Sequence, residues 1–163
     1  MDEDIIEKAE TYATRTARHL SARLGFGIHG IVFALEGNLN PGAAALKIHY
    51  SEEPYRRERN VYLRLRDEGI DAISGLKVPN LIAFDDALLA LEMTIVQPPF
   101  LLDFASAYLD FRRDFSDDVW AEWNDKNQEQ FGDNWPAAQA IIGELEELGI
   151  FMLDPSPSNI RFR

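Results

Sequence analysis

Residues 24–47 read LGFGIHGIVFALEGNLNPGAAALK, a glycine-rich turn followed by two apolar runs, the second of which ends at Lys47. Four residues follow the pattern G-x-G-x-x-G-x-V: Gly25, Gly27, Gly30 and Val32. Because glycine lacks a β-carbon, the backbone of such a turn can approach a phosphate group closely, and a lysine on a neighbouring strand can neutralise the phosphate charge. The stretch predicts a strand, a glycine turn and two further strands, the last of which contains Lys47.

The composition of the chain restricts both its size class and its partners. With 163 residues, 46% of them hydrophobic, the chain can form one core, in one domain or in two small lobes. It contains no cysteine, which excludes disulfide bridges and thiolate metal sites and is typical of a reducing cytoplasm. The net charge of −12 disfavours a nucleic-acid partner, and no apolar run is long enough to span a bilayer. We therefore expect a cytoplasmic protein with neither nucleic acid nor membrane as its partner.

The sequence on both sides of the glycine turn predicts an α+β arrangement. A helix is expected from Asp2 to about His19, because apolar residues recur along one face and acidic residues begin it. A second helix is expected from about Glu53 to Asp67, which Gly69 ends. The strands are expected within residues 21–35 (two strands, the second at 31–35), 43–49, 78–84 and 87–96, with a hairpin connection at 36–42. These segments predict an antiparallel sheet of about five strands and one long helix.

The two prolines of Gln97-Pro98-Pro99 interrupt this pattern. Proline has no amide hydrogen, so the segment is predicted to connect two parts of the chain rather than to lie inside a sheet. Beyond it, helices are expected at residues 101–111 and 137–148. The polar stretch between these helices contains four aromatic residues: Trp120, Trp123, Phe131 and Trp135. We interpret them as anchors of a small core rather than as a ligand cage, and we divide the chain into residues 1–97 and 98–163.

Three more features follow the glycine pattern in chain order. Glu58 lies on the second predicted helix, after Lys47, and Asp154 and Asn159 form a D-x-x-x-x-N spacing that includes Pro157. Together with the glycine pattern, this ordered set resembles the protein-kinase-like superfamily, and the resemblance covers most of the chain. It implies an N-terminal lobe with a five-stranded antiparallel sheet and one long helix, followed by a reduced helical C-terminal part.

The resemblance also implies a role for each matched residue. Those that would cover a bound ATP are Gly25, Gly27, Gly30 and Val32. Lys47 would hold the α- and β-phosphates, and Glu58 would fix the lysine side chain through an ion pair. Asp154 would accept the proton of the acceptor hydroxyl or orient the acceptor, and Asp154 and Asn159 would hold magnesium. The segment at Gln97 would be the hinge that meets the adenine.

Each of these residues also has a purely structural interpretation. A lysine after an alanine run is commonly a surface charge at a strand end, and a glutamate among arginines commonly forms ion pairs along a helix. The pair Asp154-Pro155 is typical of a turn. The ordered spacing of the whole set favours the kinase-like interpretation of Lys47, Glu58 and Asp154.

The chain departs from the family pattern around Asp154. Met152 and Leu153 stand where protein kinases usually have histidine and arginine. Ser156 stands where serine/threonine kinases usually have lysine, and in this respect the chain resembles the RIO-type atypical kinases. The resemblance is therefore to an atypical member of the superfamily.

The D-F-G motif of the family, whose aspartate holds magnesium, should follow Asn159. The chain ends at Arg163, four residues after Asn159, so we expect the motif to be lacking, in either a minimal kinase-like protein or a piece of a longer one. Its loss would remove a dominant charge from the site. Asp103 and Asp110, upstream in the sequence, are the candidate substitutes.

Three hypotheses for function follow. The first is a minimal transferase that uses ATP and magnesium to phosphorylate a hydroxyl group of a protein or a small molecule. The second is a pseudokinase, which binds nucleotide or a protein partner without catalysis. The third is an α+β interaction protein whose motif matches are accidental. The matched residues favour the first hypothesis and the lacking D-F-G motif favours the second, so whether the protein is an enzyme stays open at this point.

Overall fold

A computed structural model describes residues 1–37 and 42–163 of the chain. The hairpin connection predicted at residues 36–42 therefore lies partly outside the described residues, at 38–41. The architecture is mixed α+β, with a five-stranded antiparallel sheet as its largest element, as the sequence predicted.

The described residues form four α-helices. They are α1 (Asp2–Arg15), α2 (Glu52–Asp67), α3 (Asp117–Phe131) and α4 (Trp135–Glu147), with a single 3₁₀ turn at Gly132–Asn134. The second predicted helix is confirmed, with a start one residue earlier than expected. Acidic side chains occupy its first turn and arginines its last, which suits the helix dipole. The first helix ends at Arg15 rather than near His19, because Ala17 has a φ of 55° and turns the chain out of the helical conformation.

The strands are numbered in chain order. They are β1 (His19–Phe26), β2 (Gly30–Glu36), β3 (Ala44–His49), β4 (Ala72–Ile73), β5 (Leu76–Lys77), β6 (Leu81–Asp85), β7 (Ala90–Met93), β8 (Phe100–Leu101), β9 (Ala107–Leu109), β10 (Ile150–Met152) and β11 (Ile160–Arg161). The main sheet has the order β1-β2-β3-β7-β6 and every neighbouring pair in it is antiparallel. The segment at Gln97 lies between β7 and β8, outside both strands, as its prolines predicted.

The main sheet separates two hydrophobic cores, because side chains alternate between the two faces of each strand. On β3, Leu46 and Ile48 belong to the core that includes α1. Ala45 belongs to the other core, which extends from α2 to α4. Lys47 and His49 share the face of Ala45 because strand side chains repeat every two residues. Alternation on a single strand thus brings two polar side chains to the same side as α2.

The helix predicted at residues 101–111 is wrong. This segment contains β8 and β9, which pair with β11 and β10. Asp103 and Asp110 have φ values of 68° and 57°, which no α-helix accommodates. The partner strands lie far along the chain, so local residue preferences could not reveal the pairing.

The aromatic residues of the C-terminal part form a continuous series of ring contacts, as their predicted role as anchors requires. Trp123 contacts both Trp120 and Trp135 edge to face, and Phe131 stacks on Trp135. The core that contains Phe131 and Trp135 also includes Leu91 and Met93 of the main sheet. Residues on both sides of the predicted boundary at 97/98 therefore contribute to one core. Among the described helices, none is long and apolar enough to cross a membrane.

Candidate functional site

A cleft of about 560 Å³ lies between the glycine turn, the main sheet and the end of the chain. Cavities that bind small molecules and cofactors are typically about 300–1,000 Å³. The predicted site residues that line this cleft are Gly25, Gly27, Gly30, Val32, Lys47, Glu58, Gln97 and Asn159. Residues from distant parts of the sequence thus meet in one cavity of the size that binds small molecules and cofactors.

The glycines of the turn differ in what surrounds them. A β-carbon on Gly25 or Gly27 would meet nothing within 4 Å, so packing does not require glycine at either position. A β-carbon on Gly30 would lie 2.2 Å from the backbone oxygen of Ile48, so glycine is required there by the close approach of β2 to β3. The first two glycines border open space beside the cleft, whereas the third is explained by the fold.

Lys47 and Glu58 form a buried ion pair on the floor of the cleft. Lys47 Nζ lies 2.7 Å from Glu58 Oε2, and the Glu58 side chain is 1% exposed. Burial disfavours the charged form of both groups, but their mutual attraction outweighs it: the pKa of Lys47 is raised, and the pKa of Glu58 is lowered to about 2, with His49 also contributing. Both groups are therefore charged at neutral pH, and the ion pair that the resemblance implied is present.

Asp103 is the second carboxylate at this lysine. Its Oδ1 lies 3.2 Å from Lys47 Nζ, and its side chain is 39% exposed where it lines the cleft. The pairing of β8 with β11 brings it there, since Leu102 N donates to Asn159 O at 2.9 Å. Of the two upstream substitutes, the structure therefore brings Asp103 to the site. Asp110 instead forms a two-pronged ion pair with Arg64 on the surface.

Phe104, the residue after Asp103, is fully buried and packs edge to face on Tyr62 of α2 at 5.3 Å. Its backbone N–H donates to Glu58 Oε1 at 3.3 Å. The sequence Asp103-Phe104-Ala105 differs from D-F-G in one residue and could have been noticed as such, but it precedes Asp154 instead of following Asn159. Its position in the chain, rather than its residue types, concealed it.

The two residues of the D-x-x-x-x-N spacing lie in different surroundings. Asn159 is buried beside the cleft, and its Oδ1 accepts a hydrogen bond from Ser156 N at 2.7 Å. The Asp154 side chain is 63% exposed, and its Oδ1 lies 3.6 Å from Lys126 Nζ of α3. Among the described residues, the cleft lining includes Asn159 but not Asp154. The catalytic and metal-binding roles of Asp154 stay predictions.

Two histidines near Lys47 were not identified from the sequence. His29, in the glycine turn, lines the cleft, and burial lowers its pKa, with the nearby charges of Asp103 and Lys47 acting in opposite directions. His49 is fully buried, and its Nε2 lies 2.7 Å from Glu58 Oε2. The signal for His49 was available in the two-residue period of β3, which places it on the same face as Lys47.

Magnesium binding in this cleft would depend on a phosphate ligand. Within residues 1–37 and 42–163, no three His, Cys, Asp or Glu side chains converge closely enough to hold a metal ion alone. Magnesium in phosphate-transferring sites is usually bound by one or two carboxylates together with substrate phosphates and water. Asp103 and Asn159, two oxygen donors beside the same cleft, fit this mode of binding.

Comparisons of the chain with models of protein families, with curated proteins and with solved structures found no match.

Proposed function

We propose that this protein binds ATP with magnesium in the cleft and acts as a kinase-like phosphotransferase toward a hydroxyl group of a protein or small molecule. The observation that carries this proposal is the position of Lys47, which lies 2.7 Å from Glu58 and 3.2 Å from Asp103 on the floor of a cleft bordered by a glycine turn. A lysine held by a buried carboxylate next to a second, partly exposed carboxylate suits a phosphate group and its counterion.

The groups around the cleft have complementary tasks in this proposal. Lys47 neutralises phosphate oxygens, and Glu58 keeps its ammonium group in place. Asp103 and Asn159 hold the magnesium ion, which supplies further positive charge to the phosphates when it is bound. Gly25 and Gly27 leave room for the backbone of the turn to approach the phosphates. The segment at Gln97 also lines the cleft and contacts the base.

One observation favours a second candidate function, a pseudokinase that binds nucleotide without transfer. Asp154, the residue proposed to act on the acceptor hydroxyl, contacts Lys126 on α3 instead of lining the cleft within the described part of the chain. Nucleotide binding depends on Lys47 and Asp103 and is common to both functions. Transfer additionally needs a group that orients the acceptor.

Nucleotide binding is tested by the melting temperature of the protein with ATP, with and without magnesium. Ligand at a hundredfold excess over its Kd stabilises the folded state by about 2.7 kcal/mol, which for a chain of this size raises the melting temperature by roughly 5–10 °C. We expect Lys47→Ala to abolish the rise. Lys77→Ala, at an exposed lysine outside the cleft, should leave it unchanged. No rise in the wild-type protein at millimolar ATP, with magnesium or manganese, would contradict the proposal.

Transfer is tested separately with ATP labelled at the γ-phosphate. Labelled inorganic phosphate or labelled protein, lost in Asp103→Asn and in Asp154→Asn, would support the phosphotransferase. Binding of ATP with no transfer in the wild-type protein would support the pseudokinase. Transfer that persists undiminished in Asp154→Asn would show that this residue does not act on the acceptor.

A further inference from the structure

The carboxylate of Glu58 has three donors, which come from two separate segments of the chain. Lys47 Nζ and His49 Nε2 both lie 2.7 Å from Oε2, and Phe104 N donates to Oε1 at 3.3 Å. Lys47 and His49 belong to β3, and Phe104 follows β8. A helix whose carboxylate makes three contacts with other parts of the chain cannot rotate away without breaking them. The Glu58 side chain therefore has one well-defined position in the core.

His49 is itself held firmly. Its ring is 0% exposed, its Nδ1 lies 3.2 Å from the backbone oxygen of Leu89, and Tyr55 of α2 contacts it edge to face at 5.4 Å. Its backbone N–H also donates to Leu89 O at 3.0 Å. The ring thus has fixed contacts on both nitrogens and on its face, so Nε2 is aimed at Glu58 independently of Lys47.

The two carboxylates near Lys47 explain why a residue that fixes the position of Glu58 matters for the site. Glu58 and Asp103 both lie within 3.2 Å of Lys47 Nζ, so the ammonium group has two carboxylates between which it can move. The hydrogen bond to Glu58 comes from the fully buried ring of His49, which is not among the described residues that line the cleft. If Glu58 shifted, Lys47 could follow Asp103 and leave its place on the cleft floor.

We propose that His49 is a positioning residue that donates from Nε2 to Glu58 and thereby keeps α2 and Lys47 assembled for phosphate binding. The inference rests on the proposed function for its effect on ATP, but the contact itself exists independently of ATP. The contact with Glu58 is a hydrogen bond when Nε2 carries the proton, because the ionised carboxylate is an acceptor only. A buried and hydrogen-bonded proton on Nε2 is the direct signature of the arrangement.

Two variants with neutral amide side chains, His49→Gln and His49→Asn, distinguish a positioning role of His49 from a role in packing alone. In His49→Gln the amide nitrogen can reach the place of Nε2, whereas the shorter side chain of His49→Asn can contact Leu89 O but not Glu58. We expect His49→Asn to weaken the binding of ATP with magnesium about tenfold, the usual effect of losing a hydrogen bond to a charged group. His49→Gln should retain most of the affinity. Equal binding by wild type and a folded His49→Asn would overturn the inference, as would equal losses in both variants.

A second readout does not depend on ATP. In wild type, NMR of nitrogen-15-labelled protein should show a slowly exchanging proton on His49 Nε2 and a slowly exchanging Lys47 ammonium signal. The ammonium signal should persist in His49→Gln and disappear in His49→Asn. If His49→Asn does not fold, the wild-type spectrum decides, since a bare Nε2 overturns the inference. If wild type shows both signals but binds no ATP, the proposed function fails while the positioning role of His49 stands.

Discussion

A buried carboxylate, that of Glu92 on β7, accepts hydrogen bonds from α1 and from the segment that follows it. Its side chain is 2% exposed and accepts hydrogen bonds from both terminal nitrogens of Arg18, of which Nη2 lies 2.6 Å from Oε2. Tyr12 Oη of α1 donates to Oε2 at 2.6 Å. Burial alone would raise the pKa of Glu92, but the hydrogen bonds from Arg18 and Tyr12 lower it overall. We predict that Arg18→Ala destabilises the protein strongly, because it leaves this charge buried with a single partner.

The size of the loss follows from these contacts. Breaking a buried ion pair by removing one partner costs about 3–5 kcal/mol. Arg18 is 13% exposed and water can partly replace it, so we expect the lower end, about 3 kcal/mol. For a chain of this length this corresponds to a fall in melting temperature of roughly 6–12 °C. Tyr12→Phe removes one hydrogen bond to a charged group and should cost about 1.5–3 kcal/mol.

Urea unfolding followed by circular dichroism at pH 7 measures these free energies. Arg15→Ala is the matched control, since Arg15 contacts Asp85 at 3.3 Å on the surface and such pairs contribute less than about 1 kcal/mol. Replacing Glu92 by glutamine in the Arg18→Ala background should recover part of the loss, because the buried charge is gone. If Arg18→Ala costs no more than Arg15→Ala, the assignment of Glu92 as a buried charge that Arg18 compensates is wrong.

Three further predictions concern the fold and the site. Gly30→Ala should lower the free energy of unfolding markedly, because its β-carbon would lie 2.2 Å from Ile48 O, while Gly27→Ala, which has open space around it, should unfold like wild type in urea. The pKa of Glu58 falls on folding from 4.5 to about 2, so the stability that it contributes is fully present above pH 4.5 and is lost as the pH falls toward 2. In acid titrations monitored by circular dichroism, the stability of Glu58→Gln should therefore depend less on pH in this window. An unchanged dependence would contradict the buried ion pair. Ser116→Ala should cost about 1 kcal/mol, since the Ser116 hydroxyl caps α3 by accepting from the third residue after it, and a loss below about 0.3 kcal/mol by urea unfolding would show that the cap contributes little.

Much of the N-terminal half could be predicted because its helix bounds and its glycine turn depend on residues that are close in the sequence. The bounds of α2 follow from acidic residues at its start and arginines at its end. The ion pair of Lys47 with Glu58 joins neighbouring elements of the chain, β3 and α2, and the resemblance to the protein-kinase-like superfamily implied it. The glycine pattern located the turn between β1 and β2. It did not reveal that Gly30 is required by the neighbouring strand rather than by a ligand.

Local order along the chain was enough to determine the α+β class, the long helix and the glycine turn, whereas the lysine-glutamate pair was implied by the resemblance of the ordered motifs to a family. Only the tertiary structure decided that residues 101–109 pair with two strands near the end of the chain, and that this pairing brings Asp103 beside Lys47. It also decided that His49 contacts Glu58 and that Asp154 faces Lys126. The physical reason is that strand pairing and burial join residues distant in sequence, and their preferences depend on the partner rather than on neighbours along the chain.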